Sequence, residues 1–223
     1  MDFRVISIGS VSSHELWNER ETVRAAHATT TLVRSDDRVI LVDPGLPEQV
    51  LVARLHERSG LDPSSITDIF LTNFRPAHRR GISAFPKAQW LISETERQTV
   101  GAFLTQNLQQ NPQPEAQAVL EQELAVLKQC RPAPDRLASQ VDLFPLPGFS
   151  PGTCGLLLSH LHATTLIAGD AVATSEHLEQ GRLLKGCFDA EKARESFLEA
   201  VEIADALIPG HDNLLQNPGR RMV

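Results

Sequence analysis

The sequence holds only three cysteines, Cys130, Cys154 and Cys187, widely spaced and with no CxxC pair among them. An odd, scattered set of this kind excludes a disulfide framework. No apolar run approaches the length needed to cross a bilayer. The opening residues, Met1 to Ile6, read as a strand rather than a leader peptide. Basic residues are in deficit, with 21 Lys and Arg against 28 Asp and Glu and a formal charge of -7. Without a basic cluster, neither a nucleic-acid nor an anionic-membrane surface is expected. Internal repeats and low-complexity tracts are also missing. What remains, 41% hydrophobic and 22% charged residues over 223 positions, suits a compact domain with a real core. Together these features predict a soluble cytoplasmic protein.

Local patterns place the elements. Phe3 to Ser10 is rich in β-branched residues. Thr29 to Val33 and Val39 to Val42 flank the polar turn Ser35-Asp36-Asp37 and are expected to pair as a hairpin. Val50, Leu51, Ala53 and Leu55 have helical spacing, in a helix starting near Pro47 and ending at Gly60. Ile66 to Leu71 and Gln89 to Ser93 read as short strands. Between about 94 and 130 the composition turns rich in Gln, Glu and Ala, predicting two helices broken at Asn111-Pro112-Gln113-Pro114. Strands resume at Val141 to Leu146, Gly155 to Ser159 and Thr164 to Ala168. A helix over Asp189 to Ala204 follows, with Asp189 as its cap, and then a brief strand at Leu207-Ile208. This order predicts two sheets packed face to face with helices outside.

Polar or glycine-rich loops follow several of these strands, and they supply the chemistry. The stretches read RVILVDPG, LTNFRPAHRRG, PLPGFSPGTCGLLLS, TLIAGD and LIPGH, with GISAFPKAQWLIS after the second. Their order and spacing resemble the metallo-β-lactamase superfamily over roughly residues 28 to 215. There a strand ending in "ILVDPG" precedes an "LTHxHxDHxGG" loop, a "PGHTPGS" turn, an "LxxGD" strand end and a final "PGH". The resemblance implies an α/β fold, an αββα sandwich forming a single domain over 1–223 with a helical insertion at about 94–130.

The resemblance also implies a site with a pair of metal ions, and here the sequence departs from the pattern. The loop's two leading histidines correspond to Asn73 and Arg75, its aspartate to Ala77, and the turn histidine to Phe149. His78, Asp170 and His211 remain, and Asp43 stands close behind them in the pattern. A benzene ring has no lone pair, and a guanidinium keeps its protons at any working pH, so neither ligates. A dinuclear centre is therefore not expected. Two imidazoles and a carboxylate still form a set used by catalytic zinc and non-haem iron. Two readings follow. In one, the protein is a pseudo-hydrolase or small-molecule-binding member that uses a metal-free pocket for binding, or its outer surface for assembly. In the other, one Zn, Fe or Mn ion on His78, Asp170 and His211 hydrolyses a small ester, thioester or lactone. With the metals gone, clustered Asp170 and Asp43 would repel. Arg75 is expected to pair with one of them while Phe149 fills the remaining space. A homo-oligomer is compatible with either reading.

Other residues rank lower. His160 and His162 share one strand face near a hairpin tip and are expected to face solvent. His27, before the Thr29 strand, borders the pocket or simply occupies a turn. Cys154, in the turn after Thr153, is a remote candidate nucleophile with His78 or His211 as base, its burial in an apolar strand being the commoner arrangement.

Overall fold

A computed structural model describes residues 1–217. The first sheet contains β1 (Asp2–Ser7), β2 (Thr30–Ser35), β3 (Arg38–Val42), β4 (Asp68–Leu71), β5 (Gln89–Ile92) and β6 (Arg131–Pro132), in that spatial order. The second runs β7 (Arg136–Ala138), β8 (Val141–Pro145), β9 (Cys154–Ser159), β10 (Thr164–Gly169), β11 (Ala206–Pro209) and β12 (Leu215–Gln216). Strands β3 to β6 pair in parallel, as do β10 and β11, and the rest are antiparallel.

Successive side chains of a strand point to opposite faces, so a strand buried on both sides reads as a continuous apolar run. That is the case here. Ile40, Val42, Phe70 and Leu91 turn inward to meet Leu156, Leu158, Ile167 and Ile208 of the second sheet. Their neighbours Leu41, Ile69, Leu71 and Ile92 turn outward. There they pack on Leu51 and Leu55 of α1 (Glu48–Ser59), Leu104 of α3 (Glu94–Gln110) and Leu127 of α4 (Pro114–Gln129). A short α2 (Pro76–Arg79) lies between β4 and β5 in the chain. On the far side, Leu166, Ala168 and Leu207 pack on Leu178 of α5 (Ser175–Gln180) and on Phe197 and Ala200 of α6 (Ala190–Ile203). The result is helix, sheet, sheet, helix, the αββα order expected from the strand pattern.

Local signals act where the sequence puts them. β2 and β3 pair in register from Thr31↔Val42 to Ser35↔Arg38, and Asp36 takes the left-handed turn conformation at φ 53°. Gly60 caps α1 at φ 71°, and the Asp189 side chain accepts the Lys192 N–H at the start of α6. Pro47 is the cap of α1 rather than its first helical residue. β1 stops at Ser7, short of Ser10, because the chain then leaves the sheet.

Candidate active site

The site lies at one edge of the sandwich, where the loops after β3, β4, β10 and β11 converge. Two glycines make the convergence possible. Gly169, at φ 54°, has no room for a Cβ, which would sit 2.6 Å from Thr72 Oγ1. A Cβ on Gly210 would lie 2.8 Å from Asp170 Oδ1. The glycine before each functional residue thus lets Asp170 and His211 come up against the β4 loop. Asp43 itself adopts φ 49°, an uncommon conformation for a residue with a side chain. Several hydrogen bonds hold it there: Thr30 Oγ1 donates to its carbonyl at 2.6 Å, and the Thr72 N–H and hydroxyl donate to its carboxylate at 2.9 and 2.7 Å.

Arg75, Ala77, His78, Phe149, Asp170 and His211 all line one cavity of about 610 Å³. Asp43 and Asn73 lie behind it, fully buried. His78 stands between two carboxylates, its Nδ1 3.0 Å from Asp43 Oδ2 and its Nε2 2.9 Å from Asp170 Oδ2. Burial opposes charging this ring, but Asp170 and Asp43 outweigh it and push its pKa up to about 10. Burial likewise opposes ionisation of Asp170, yet His78 and His211 hold its carboxyl well below the usual carboxylate range. Asn73 completes the group. Its Oδ1 accepts the Arg75 N–H at 3.0 Å, so its Nδ2 is turned inward and donates to Asp170 Oδ2 at 3.0 Å.

His211 is placed differently. Its Nδ1 donates to the His27 carbonyl at 3.0 Å, which points Nε2 at Asp170 Oδ1, also 3.0 Å away. Asp170 Oδ1 is buried and His211 Nε2 is the polar atom that faces it. His78, Asp170 and His211 each offer one ligand atom, all within 4.8 Å of one another, and all three residues are buried. This donor set fits one ion. The positions of Asn73, Arg75, Ala77 and Phe149 add an N–H donor, a cation, a methyl and a ring, none of which ligates.

One sequence expectation needs correction, and two open ones are decided. Arg75 pairs with neither Asp170 nor Asp43. Its guanidinium donates to the Gly186 carbonyl at 3.0 Å and lies 4.1 Å above the Phe149 ring. His78 already occupies the space between the two carboxylates and supplies the positive charge that Arg75 was expected to bring. Cys154 does not face the site but sits 1% exposed between the sheets, where burial pushes its thiol up to about 12. That removes it as a nucleophile. His27 contributes through its carbonyl rather than its ring. His160 and His162 are exposed, as expected.

Two features had no counterpart in the sequence reading. Glu96, 1% exposed in the first turn of α3, accepts from the Phe74 N–H at 3.0 Å and from Ser150 Oγ and the Gly152 N–H at 2.8 Å each. One carboxylate therefore ties together the loops that carry Asn73 and Phe149. Glu96→Ala is expected to cost about 3 kcal/mol of stability, the scale of hydrogen bonds to a charged group plus the donors left unpaired. Chemical denaturation checks this, and a loss below about 1 kcal/mol would show that the loops hold without it. The second feature is a shelf beside the cavity, where His14 stacks on Trp17 at 4.2 Å. The His14 Nε2 and the His177 Nδ1 both meet Thr174 Oγ1, at 3.1 and 2.8 Å. His14 lies in a loop whose pairing depends wholly on tertiary contacts, so no local pattern marks it.

The pKa directions fix a pH profile for the metal-free protein. His78, raised above 6.5, contributes its stabilisation in full below that value and loses it as pH rises through about 10. Asp170, held below 3.8, contributes above that value and loses it as pH falls further. Thermal melts of chelator-treated protein are expected to peak between about pH 4 and 6.5 and fall on both sides. The alkaline fall is expected to shrink in His78→Gln. An unchanged alkaline limb in that variant would contradict the assignment.

A two-sheet sandwich with helices outside and a His-Asp-His group held in the loops at its edge defines a protein of the αββα class. The chain belongs to the metallo-beta-lactamase superfamily, whose family model matches residues 23–211. No curated protein matches its sequence. Among solved structures it is similar to a Thermotoga maritima protein described as a metallo-beta-lactamase, with TM-score 0.70 and 19% identity, covering 96% of this chain and 98% of that one. It is also similar to AidC, a dizinc quorum-quenching lactonase in complex with a homoserine product, with TM-score 0.65, 20% identity and coverage of 82% and 72%. A third is an AiiA variant from B. thuringiensis with N-decanoyl-L-homoserine bound at its active site, with TM-score 0.63, 18% identity and coverage of 94% and 92%. At these identities the likeness concerns the fold. No helix among the described residues is long and apolar enough to cross a membrane.

Proposed function

We propose that this chain is a metallo-β-lactamase-fold protein that has lost the dinuclear centre and uses a metal-free pocket to bind a small molecule. The observation that carries the reading is the orientation of Asn73. Its carbonyl oxygen is engaged by the Arg75 N–H, so it presents an N–H to Asp170 where a metal ligand presents a lone pair. His78, bonded at both nitrogens to carboxylates, provides an internal cation in the place of an ion. Arg75, Ala77 and Phe149 then form cavity wall. We assign the whole of 1–223 to one working unit, with α3 and α4 as an insertion over the first sheet.

A second reading has its own support. His211 Nε2 and Asp170 Oδ1 face each other at 3.0 Å. With Nε2 unprotonated, the two atoms are acceptors that a cation can bridge. One ion on His78, Asp170 and His211, with Asp43 orienting His78 from behind, would supply Lewis acidity and an activated water. The substrate would be a small ester, thioester or lactone, in line with the lactonases among its structural neighbours. Elemental analysis of purified protein beside His211→Ala decides between the two. The first reading expects less than about 0.1 equivalent of Zn, Fe or Mn in both proteins. About one equivalent in the parent, lost in the variant, establishes the second.

A further inference from the structure

We propose that the cavity is selective for an amphipathic carboxylate, its head held by the Arg75 guanidinium and its apolar chain in the groove beyond Phe149. The inference rests on the reading of this cavity as a metal-free binding pocket and names the class of molecule it takes.

Charge around the cavity is nearly all compensated. Glu15 pairs with Lys185 at 2.5 Å, Glu19 pairs with Arg24, and the floor holds His78 between Asp43 and Asp170. Arg75 is different. Its guanidinium reaches no carboxylate among the described residues and spends one N–H on the Gly186 carbonyl. Its guanidinium carbon rests 4.1 Å from the centre of the Phe149 ring, leaving its other N–H groups for a planar anion. Arg20, exposed at the same mouth, also makes no ion pair among the described residues. Two uncompensated guanidiniums beside one cavity run against a chain whose formal charge is -7. The floor already holds two carboxylates, Asp43 and Asp170, around the single His78 ring, so the ligand's carboxylate is held at the mouth.

Arg75 and Phe149 also line a second space of about 370 Å³, whose apolar wall is Val100, Phe103, Leu104 and Phe188 and whose two carboxylates, Glu96 and Glu123, are already engaged by other groups. Phe103 is 63% exposed and Phe188 69% exposed, large apolar surfaces left to water. An apolar chain laid along them is driven by the area it covers, about 25 cal/mol per Å². A cation standing at the end of an apolar groove matches a molecule charged at one end only.

Octanoate and its neutral counterpart octanamide, titrated calorimetrically into chelator-dialysed protein, test this. Octanoate is expected to bind saturably and at least about tenfold more tightly than octanamide. Arg75→Gln is expected to remove that preference, weakening octanoate about tenfold and leaving octanamide unchanged. Phe188→Ser is expected to weaken both ligands. Equal affinity for the two ligands, no octanoate binding at millimolar concentration, or a preference that survives Arg75→Gln overturns the proposal. Failure of the underlying reading has a different signature. In that case octanoate binding depends on added zinc and disappears in His211→Ala while persisting in Arg75→Gln.

Discussion

Asp170→Asn is expected to destabilise the chelator-treated protein by about 3–5 kcal/mol, the cost of removing one partner from a buried ion pair. Asp170 is 4% exposed and is the acceptor toward which Asn73, His78 and His211 all turn. An amide there can keep the volume but not the charge. The His78 ring is left with Asp43 alone, and one amide N–H must face donors already in place. Arg75→Gln is the control, since that side chain is exposed, and a change within about 0.5 kcal/mol is expected. Urea unfolding of both variants gives the comparison. Equal small losses would show that the buried cluster is not a stabilising ion network, and the internal-cation account would fail with it.

The second large effect concerns the missing ligands. A chain carrying Asn73→His, Arg75→His, Ala77→Asp and Phe149→His together restores lone pairs at each departed position. It is expected to retain about two equivalents of zinc through gel filtration, at least one more than the parent. Phe149 is buried beneath Arg75, so its replacement alone is expected to cost about 1–3 kcal/mol in lost burial. Circular dichroism establishes that the comparison is between folded proteins. If the parent takes up as much zinc as the restored chain, the four positions do not limit metal binding. A restored chain that folds and still refuses a second ion would place the obstacle elsewhere.

The parts of the fold legible in the sequence are those with local causes. The β2–β3 hairpin follows from two β-branched, largely apolar runs about a polar turn, and α1 from helical spacing closed by Gly60. The break between α3 and α4 follows from prolines that cannot continue a helix. Strands β6, β7 and β12, of two or three residues each, exist only because a neighbouring strand offers an edge. The turn at Glu15–Trp17 is equally dependent on tertiary contact, whereas α5 has local caps in Thr174 and Gly181 that the sequence reading passed over.

The site divides the same way. Asp170 and His211 follow glycines and His78 sits in α2, and their convergence is what the resemblance of the ordered motifs implied. The direction of Arg75 was not implied, because a flexible side chain is aimed by its surroundings and not by its neighbours in sequence. Glu96 carries a partial signal. Ser93 and Glu96 have the spacing of a capping box, and Ser93 Oγ does accept the Glu96 N–H at 3.2 Å. The carboxylate is instead drawn to the Phe74, Ser150 and Gly152 donors, which lie far away in sequence.

Anomalous diffraction at the zinc edge, from crystals grown with zinc in excess, tests the loss of the dinuclear centre most directly. The account predicts no peak among Asn73, Arg75 and Phe149, and none or a single one at His78, Asp170 and His211. Two neighbouring peaks in the cavity, about 3.5–4 Å apart, would contradict it.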